Sequence, residues 1–188
     1  MSKLLNEAIN YAAACHGEQK RKMNGTPYIL HPMEVAAIVA TLTSDESAIM
    51  AGLLHDVIED MGVSPEELAH RFGEDTAMLV MSETEDKRRD LPAESTWKIR
   101  KEESLAFLKN AQDERIKILW LSDKLSNMRS LYRGVREEGD KVFERFHEKR
   151  KSEHEWYYRT IAEYTAELKD TAAFEEYTEL LNKVFTEE

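Results

Sequence analysis

Backbone breakers are scarce in this chain, and that scarcity limits its fold more than any other feature. Seven glycines and four prolines are spread over 188 residues. A sheet with many tight turns needs more of both, so long helices are expected. Leu4, Leu5, Ala8, Ile9 and Ala12 recur at helical spacing and mark a first helix over 3–15. The segment from His16 to Pro32 breaks the pattern. Asn24-Gly25 and Pro27 mark it as a loop, and Lys20, Arg21 and Lys22 make it basic. Pro32 suits a first helical position, so His31 is expected at or just before a helix start. Ser44 or Asp45 can cap the next helix, which is expected to run unbroken through AIMAGLLHDVIED to Gly62. Ser64, Pro65 and Glu67 open another with a capping box, ending near Gly73, and a short helix follows over DTAMLVMSE. Residues 84–96 are the most loop-like stretch and a candidate for mobility. Helices are expected over 97–110 and 114–131, and two more between 142 and 185. Gly134 and Gly139 frame a polar stretch before that tail. With no strand, repeat or glycine-rich phosphate loop in view, the expectation is an all-α fold of about eight helices, forming one domain over 1–188.

Hydrophobic residues make up 41% of the chain and charged residues 34%. That is enough apolar material for one core and too much for a disordered chain. The formal net charge of -11 repels nucleic-acid backbone and anionic lipid, so neither is an expected partner. It equally repels a phosphorylated small molecule, unless a cation or a basic cluster reverses the field locally. The single cysteine, Cys15, excludes an internal disulfide and a cysteine-based zinc cluster, which points to a reducing compartment. No apolar run reaches the length of a membrane span, and the first residues carry no signal-peptide pattern, so the cytoplasm is expected. Nothing here sets an oligomeric state.

The helix expected over 48–61 carries the chemistry. With His55 at zero on a wheel, Glu59 falls at about 40°, Asp56 at about 100° and Asp60 at about 140°. Met50, Leu54, Val57, Ile58 and Met61 fall on the opposite side, between roughly 200° and 300°. One imidazole and three carboxylates therefore share a face. A solvated polar stripe is the simplest explanation. Against it, Asp56 and Asp60 repel each other one turn apart, by a few tenths of a kcal/mol. All three acids also lie near the expected C-terminus, where the helix dipole disfavours anions by about 0.3–1 kcal/mol each. No Lys or Arg on this helix compensates, and a divalent cation would.

Further donors must come from elsewhere. Asp123 lies in the largely apolar segment IKILWLSDKLSNM, with Asn127 one turn later, and His31 stands at a loop-to-helix junction. Structural roles stay open for both: His31 as a cap, Asp123 as a partner of Lys124. A set of two histidines and two aspartates suits Mn²⁺, Fe²⁺ or Zn²⁺ better than Ca²⁺. Such an ion lowers the pKa of a bound water from about 16 toward neutrality. Glu59 and Asp60 are then placed to orient or deprotonate that water, or to protonate a leaving oxygen.

His31, the pair His55-Asp56 and Asp123 resemble the H…HD…D signature of HD-domain phosphohydrolases. The surrounding residues resemble the hydrolase domain of RelA/SpoT proteins. They are His16-Gly17-x-Gln19-x-Arg21-Lys22, Gly25-Thr26-Pro27-Tyr28-Ile29-x-His31-Pro32, the run from Leu53 to Asp60, Phe72-Gly73, and the segment from Ser122 to Arg129. The likeness covers about 4–131 well and the C-terminal helices loosely. It implies hydrolysis of the 3′-diphosphate of the alarmones ppGpp and pppGpp, with release of pyrophosphate and one divalent ion, Mn²⁺, as cofactor. It implies metal ligands at His31, His55, Asp56 and Asp123, catalytic acids at Glu59 and Asp60, and substrate contacts from Arg21, Lys22 and Asn127. Tyr157 is a further candidate for the base or ribose pocket, with core packing as its alternative. The basic cluster 20–22 agrees with a phosphorylated substrate, a solvated loop being the alternative. A stand-alone unit without a synthetase or regulatory region is expected, similar to the small alarmone hydrolases.

Four features depart from the family. Trp120 replaces a usual Lys, Ser122 a usual Ala, and Glu83 an apolar residue. Ser95-Thr96-Trp97 with Arg100-Lys101 resembles a wider group of small bacterial HD proteins. These departures are expected to bear on the substrate and to leave the metal set untouched. Three other readings stay open: the same catalyst acting on another phosphorylated nucleotide, a nucleotide sensor without turnover, and a purely structural helical protein.

Overall fold

The computed structural model describes residues 2–22 and 25–186. Among these, ten α-helical segments and two short 3-10 segments follow one another, with a single isolated β-bridge between Lys20 and Pro27. The helices are α1 (Lys3–His16), α2 (Leu30–Leu42), α3 (Glu46–Leu54), α4 (Val57–Met61), α5 (Pro65–Phe72), α6 (Glu74–Met81), α7 (Ala93–Asn110), α8 (Glu114–Glu138), α9 (Lys151–Tyr164) and α10 (Ala172–Phe185). The all-α expectation holds.

Local chemistry sets many of the boundaries. Ser2, Asp45, Ser64, Asp113 and Thr171 each accept a backbone N–H of the first turn they cap. At Ser64 only half of the expected capping box forms, because Glu67 turns to the Tyr11 hydroxyl and to Arg71 instead. Gly62, at φ 72°, ends α4 in the left-handed conformation that favours glycine. α2 begins at Leu30, so His31 lies inside its first turn rather than before it. α7 begins right after Pro92, four residues ahead of expectation, and α8 continues through Gly134 to Glu138. Asn24, half of the expected Asn-Gly turn, lies outside the described residues.

The expected unbroken helix is two. α3 stops at Leu54, His55 and Asp56 form the link, and α4 restarts at Val57. Glu59 and Asp60 therefore sit in the first turn of α4, where the dipole favours anions. The dipole argument for a cation is thereby reversed, and the case for one has to come from how the side chains converge.

α8 is the central post. It packs against α2, α3, α9 and α10, with α6 alongside. Leu119, Leu121, Leu125 and Met128 are fully buried there, in one continuous apolar core with Val35, Val39, Leu54, Phe72 and Tyr177. α2 crosses α3 at Gly52. A Cβ at that position would lie 2.9 Å from Ala36 Cα, closer than real contacts allow. Gly52→Ala is expected to destabilise the fold by about 1–3 kcal/mol, read as a lower urea midpoint. This close crossing brings the start of α2 and the end of α3 together.

Candidate metal centre and cleft

His31 comes from the first turn of α2, His55 and Asp56 from the α3–α4 link, and Asp123 from the middle of α8. Their polar atoms meet at one point. His31 Nε2 lies 3.0 Å from Asp123 Oδ1 and 3.8 Å from Asp56 Oδ2. His55 Nε2 lies 2.9 Å from Asp56 Oδ2 and 3.6 Å from Asp123 Oδ1. His31, His55 and Asp123 are buried, and one ligand atom from each falls within 4.8 Å of the others.

This donor set fits a divalent cation. His55 Nδ1 lies 2.9 Å from the Gly52 carbonyl oxygen, which only accepts, so Nδ1 carries a hydrogen. Nε2 is the nitrogen left to hold either a proton or a metal. The site draws positive charge to that point. Burial pulls the His55 imidazole down, but Asp56 and Asp123 outweigh it and push it up to about 10. Burial pushes the Asp56 carboxyl up, yet the two histidines hold it below the usual range. For Asp123, Lys124 and then the histidines outweigh burial in the same way. Burial holds His31 below its ordinary value. Mixed imidazole and carboxylate donors suit borderline divalent ions. The group His31, His55 and Asp123 can hold such an ion. Tyr28, unassigned by sequence reasoning, donates its hydroxyl to Asp56 Oδ2 at 2.6 Å.

The pairing of Asp123 with Lys124 is present as well, through the other carboxylate oxygen, Oδ2. Glu83 accepts from Lys124 Nζ at 2.8 Å, and the Trp120 ring lies 4.8 Å from that ammonium. Trp120 Nε1 donates to the Ser82 carbonyl, and Ser122 donates to the Ile118 carbonyl. Two of the family departures thus hold a lysine that touches Asp123. Both reach Asp123 through that lysine, and neither lines the cleft.

A cleft of about 360 Å³ opens beside Asp56, lined by Arg21, Lys22, Tyr28, Asn127, Phe146 and Tyr158 among others. Arg21 donates to Asn127 Oδ1 at 3.0 Å, and Asn127 Nδ2 donates to Asp123 Oδ1 at 2.7 Å. The basic loop is thereby wired to the metal donors. Tyr157 does not face this cleft. Its buried ring packs against Trp97 and under Lys101. Tyr158, its neighbour on α9, takes the place on the wall. One residue on a helix turns the side chain by about 100°, and sequence alone did not say which tyrosine faces in.

Glu59 and Asp60 stand on the same cleft, both held by the segment 84–91. Lys87 Nζ lies 3.2 Å from Glu59 Oε1 and 2.5 Å from Asp60 Oδ1. The Glu85 N–H donates to Glu59 Oε2 at 3.1 Å, and Gln19 Nε2 donates to Asp60 Oδ2 at 3.0 Å. Burial, then the Asp56 charge, pushes the Glu59 carboxyl up. Glu85 itself is clamped by Arg100 and Lys101 at 2.7 Å each. The stretch expected to be loose is tied at both ends of this contact. A wider groove of about 890 Å³ lies across Lys87, between α4 and this segment, and it is not lined by His31, His55, Asp56 or Asp123.

A largely buried site of two histidines and two aspartates in an all-helical fold, with His and Asp adjacent in the chain, defines a class. A family model described as "HD domain" matches residues 8–152. The chain belongs to the HD-domain family. A guanosine-3′,5′-bis(diphosphate) 3′-pyrophosphohydrolase from Aquifex aeolicus is 41% identical over 128 residues, 68% of this chain and 18% of the relative. A GTP pyrophosphokinase from Brucella ovis is 40% identical over 68% of this chain and 17% of its own length. The chain thus spans less than a fifth of the curated relatives it matches. Among solved structures, one described as a metazoan ortholog of SpoT that hydrolyzes ppGpp and plays a role in starvation responses is 26% identical, with a TM-score of 0.75. That match covers 97% of this chain and 96% of the other. A protein from Listeria monocytogenes is 28% identical with a TM-score of 0.72, over 84% of this chain and 99% of its own. No helix among the described residues is long and apolar enough to cross a membrane.

Proposed function

We propose that this chain is a metal-dependent hydrolase that removes the 3′-diphosphate of ppGpp and pppGpp as pyrophosphate, acting as one HD-type unit over 1–188. The observation that carries the reading is the convergence of His31, His55, Asp56 and Asp123 beside a cleft that holds Arg21, Lys22 and the Glu59-Asp60 pair. The likeness in fold to a structure described as a ppGpp hydrolase, across nearly the whole of both chains, supports the substrate. Those four side chains are the proposed ligands, and Mn²⁺ the proposed ion. A nucleotide substrate also makes the cytoplasm the proposed compartment.

A divalent ion held by His31, His55, Asp56 and Asp123 would supply Lewis acidity and so a water nucleophile near neutral pH. The side chains do the rest. Arg21 and Lys22 bring positive charge to the phosphates of the substrate in an otherwise acidic protein. Glu59 accepts the proton of the attacking water and passes it to the ribose 3′ oxygen as the phosphorus–oxygen bond breaks. Its raised carboxyl suits that traffic. Asp60 accepts from Lys87 and from the Gln19 amide and is assigned charge and orientation beside Glu59. Tyr158 and Phe146 form the aromatic wall against which a base can lie.

The test is turnover by the purified chain with Mn²⁺, comparing ppGpp with a panel of other phosphorylated nucleotides. Pyrophosphate release from ppGpp, abolished by a chelator and restored by Mn²⁺, is expected. Turnover of another nucleotide without release from ppGpp would reject the substrate, and turnover indifferent to chelator would reject the metal.

A further inference from the structure

Ser126 and Glu34 took no part in the sequence reading, yet they lie directly behind His31. Ser126 is fully buried on α8, one turn after Asp123 on the side that meets α2. Its Oγ lies 2.8 Å from His31 Nδ1 and donates to Glu34 Oε2 at 2.6 Å. Glu34 Oε1 accepts from Arg129 Nη1 at 2.9 Å, and Arg129 is itself held by a two-pronged pair with Glu176 on α10.

Proton counting gives this chain of contacts one direction. Arg129 only donates, so it keeps Glu34 a carboxylate, which only accepts. Burial pushes the Glu34 carboxyl up, but Ser126 and Arg129 bring it below the ordinary value. The one hydroxyl proton of Ser126 must therefore point at Glu34. What Ser126 Oγ offers His31 is a lone pair, so His31 Nδ1 must carry the hydrogen. Nε2, which faces Asp123 and Asp56, is then the nitrogen left to hold either a proton or the metal.

We infer that Glu34 and Ser126 are positioning residues for the metal ligand His31, fixing it by a carboxylate–hydroxyl–imidazole relay in the tautomer whose Nε2 binds the ion. This rests on the metal site proposed above and adds two residues to it. His55 reaches the same state more simply, through the Gly52 carbonyl. His31 has no such carbonyl at its Nδ1 and borrows one acceptor through another side chain. Outer partners of this kind orient the ligand and raise its basicity.

Glu34→Gln gives the sharpest test, because it keeps the shape and reverses the relay. Arg129 would claim the new amide oxygen, so the amide NH₂ would face Ser126. The hydroxyl would then turn its proton to His31 Nδ1, forcing hydrogen onto Nε2, where the metal should bind. Mn²⁺ affinity is measured on purified protein by the electron-spin signal of the free ion, alongside a thermal melt. Glu34→Gln and Ser126→Ala are expected to weaken Mn²⁺ binding by about 10–100-fold, with Ser126→Thr within about threefold of wild type. Nitrogen-15 spectra of the metal-free protein should show His31 Nδ1 carrying a hydrogen in wild type and none in Glu34→Gln. If Ser126→Ala fails to fold, Glu34→Gln and Ser126→Thr carry the test. A folded Glu34→Gln with wild-type affinity and an unchanged His31 tautomer overturns the relay alone. A wild-type protein that takes up no Mn²⁺ overturns the metal site and the relay together.

Discussion

Asp123→Asn is expected to abolish retention of the divalent ion and to slow pyrophosphate release from ppGpp by at least about 10³-fold. The size follows from losing several kcal/mol of charge stabilisation at about 1.4 kcal/mol per tenfold in rate. Asp123 is where the site's contacts meet. One oxygen faces His31 and His55 and accepts from Asn127, while the other meets Lys124. The amide keeps the side-chain volume, so α8 stays packed and the loss is chemical. Elemental analysis of the purified variant and a pyrophosphate assay read the two effects separately. Asp123→Asn with full metal content and near wild-type turnover would remove Asp123 from the ligand set.

The second large effect is at Glu59. Glu59→Gln is expected to lower kcat by about 10²–10⁴-fold, while Mn²⁺ content stays at the wild-type level. Glu59 has no direct contact with His31, His55 or Asp123. Its partners are Lys87, the Glu85 N–H and, through its own carbonyl, Arg89. The pH profile provides a further check. Glu59 works as a carboxylate that takes a proton, so kcat/KM should fall as pH drops through its pKa. That acid limb should be absent from the profile of Glu59→Gln. Unchanged kcat in Glu59→Gln would show that the proton travels by another route.

Local signals in the sequence foretold a good deal of this molecule. Asp45 and Ser64 cap where their side chains predict, and Gly62 stops its helix. These are short-range effects that a dozen residues determine. The helical wheel put His55, Asp56, Glu59 and Asp60 on one side, and the three acids do line one cleft, with His55 buried against Asp56. Its reasoning about the dipole failed because the helix divides at the HD pair, a break with no glycine or proline to announce it. It also failed because the neutralising cation comes from Lys87, 27 residues beyond Asp60. Several partners that complete the site are of this distant kind. Gln19 reaches Asp60, Tyr28 reaches Asp56, and Ser126 reaches His31 across 95 residues. Each pairing depends on where segments distant in the chain meet in the fold. Glu83 and Trp120 stood out in sequence as departures, yet only packing shows that both meet at Lys124.

Crystals grown with Mn²⁺ and measured at the manganese absorption edge give the most direct test of the metal site. A single anomalous peak is expected within bonding distance of His31 Nε2, His55 Nε2 and the Asp56 and Asp123 carboxylates. No peak at that point, or a peak elsewhere with these four side chains still paired to one another, would contradict it.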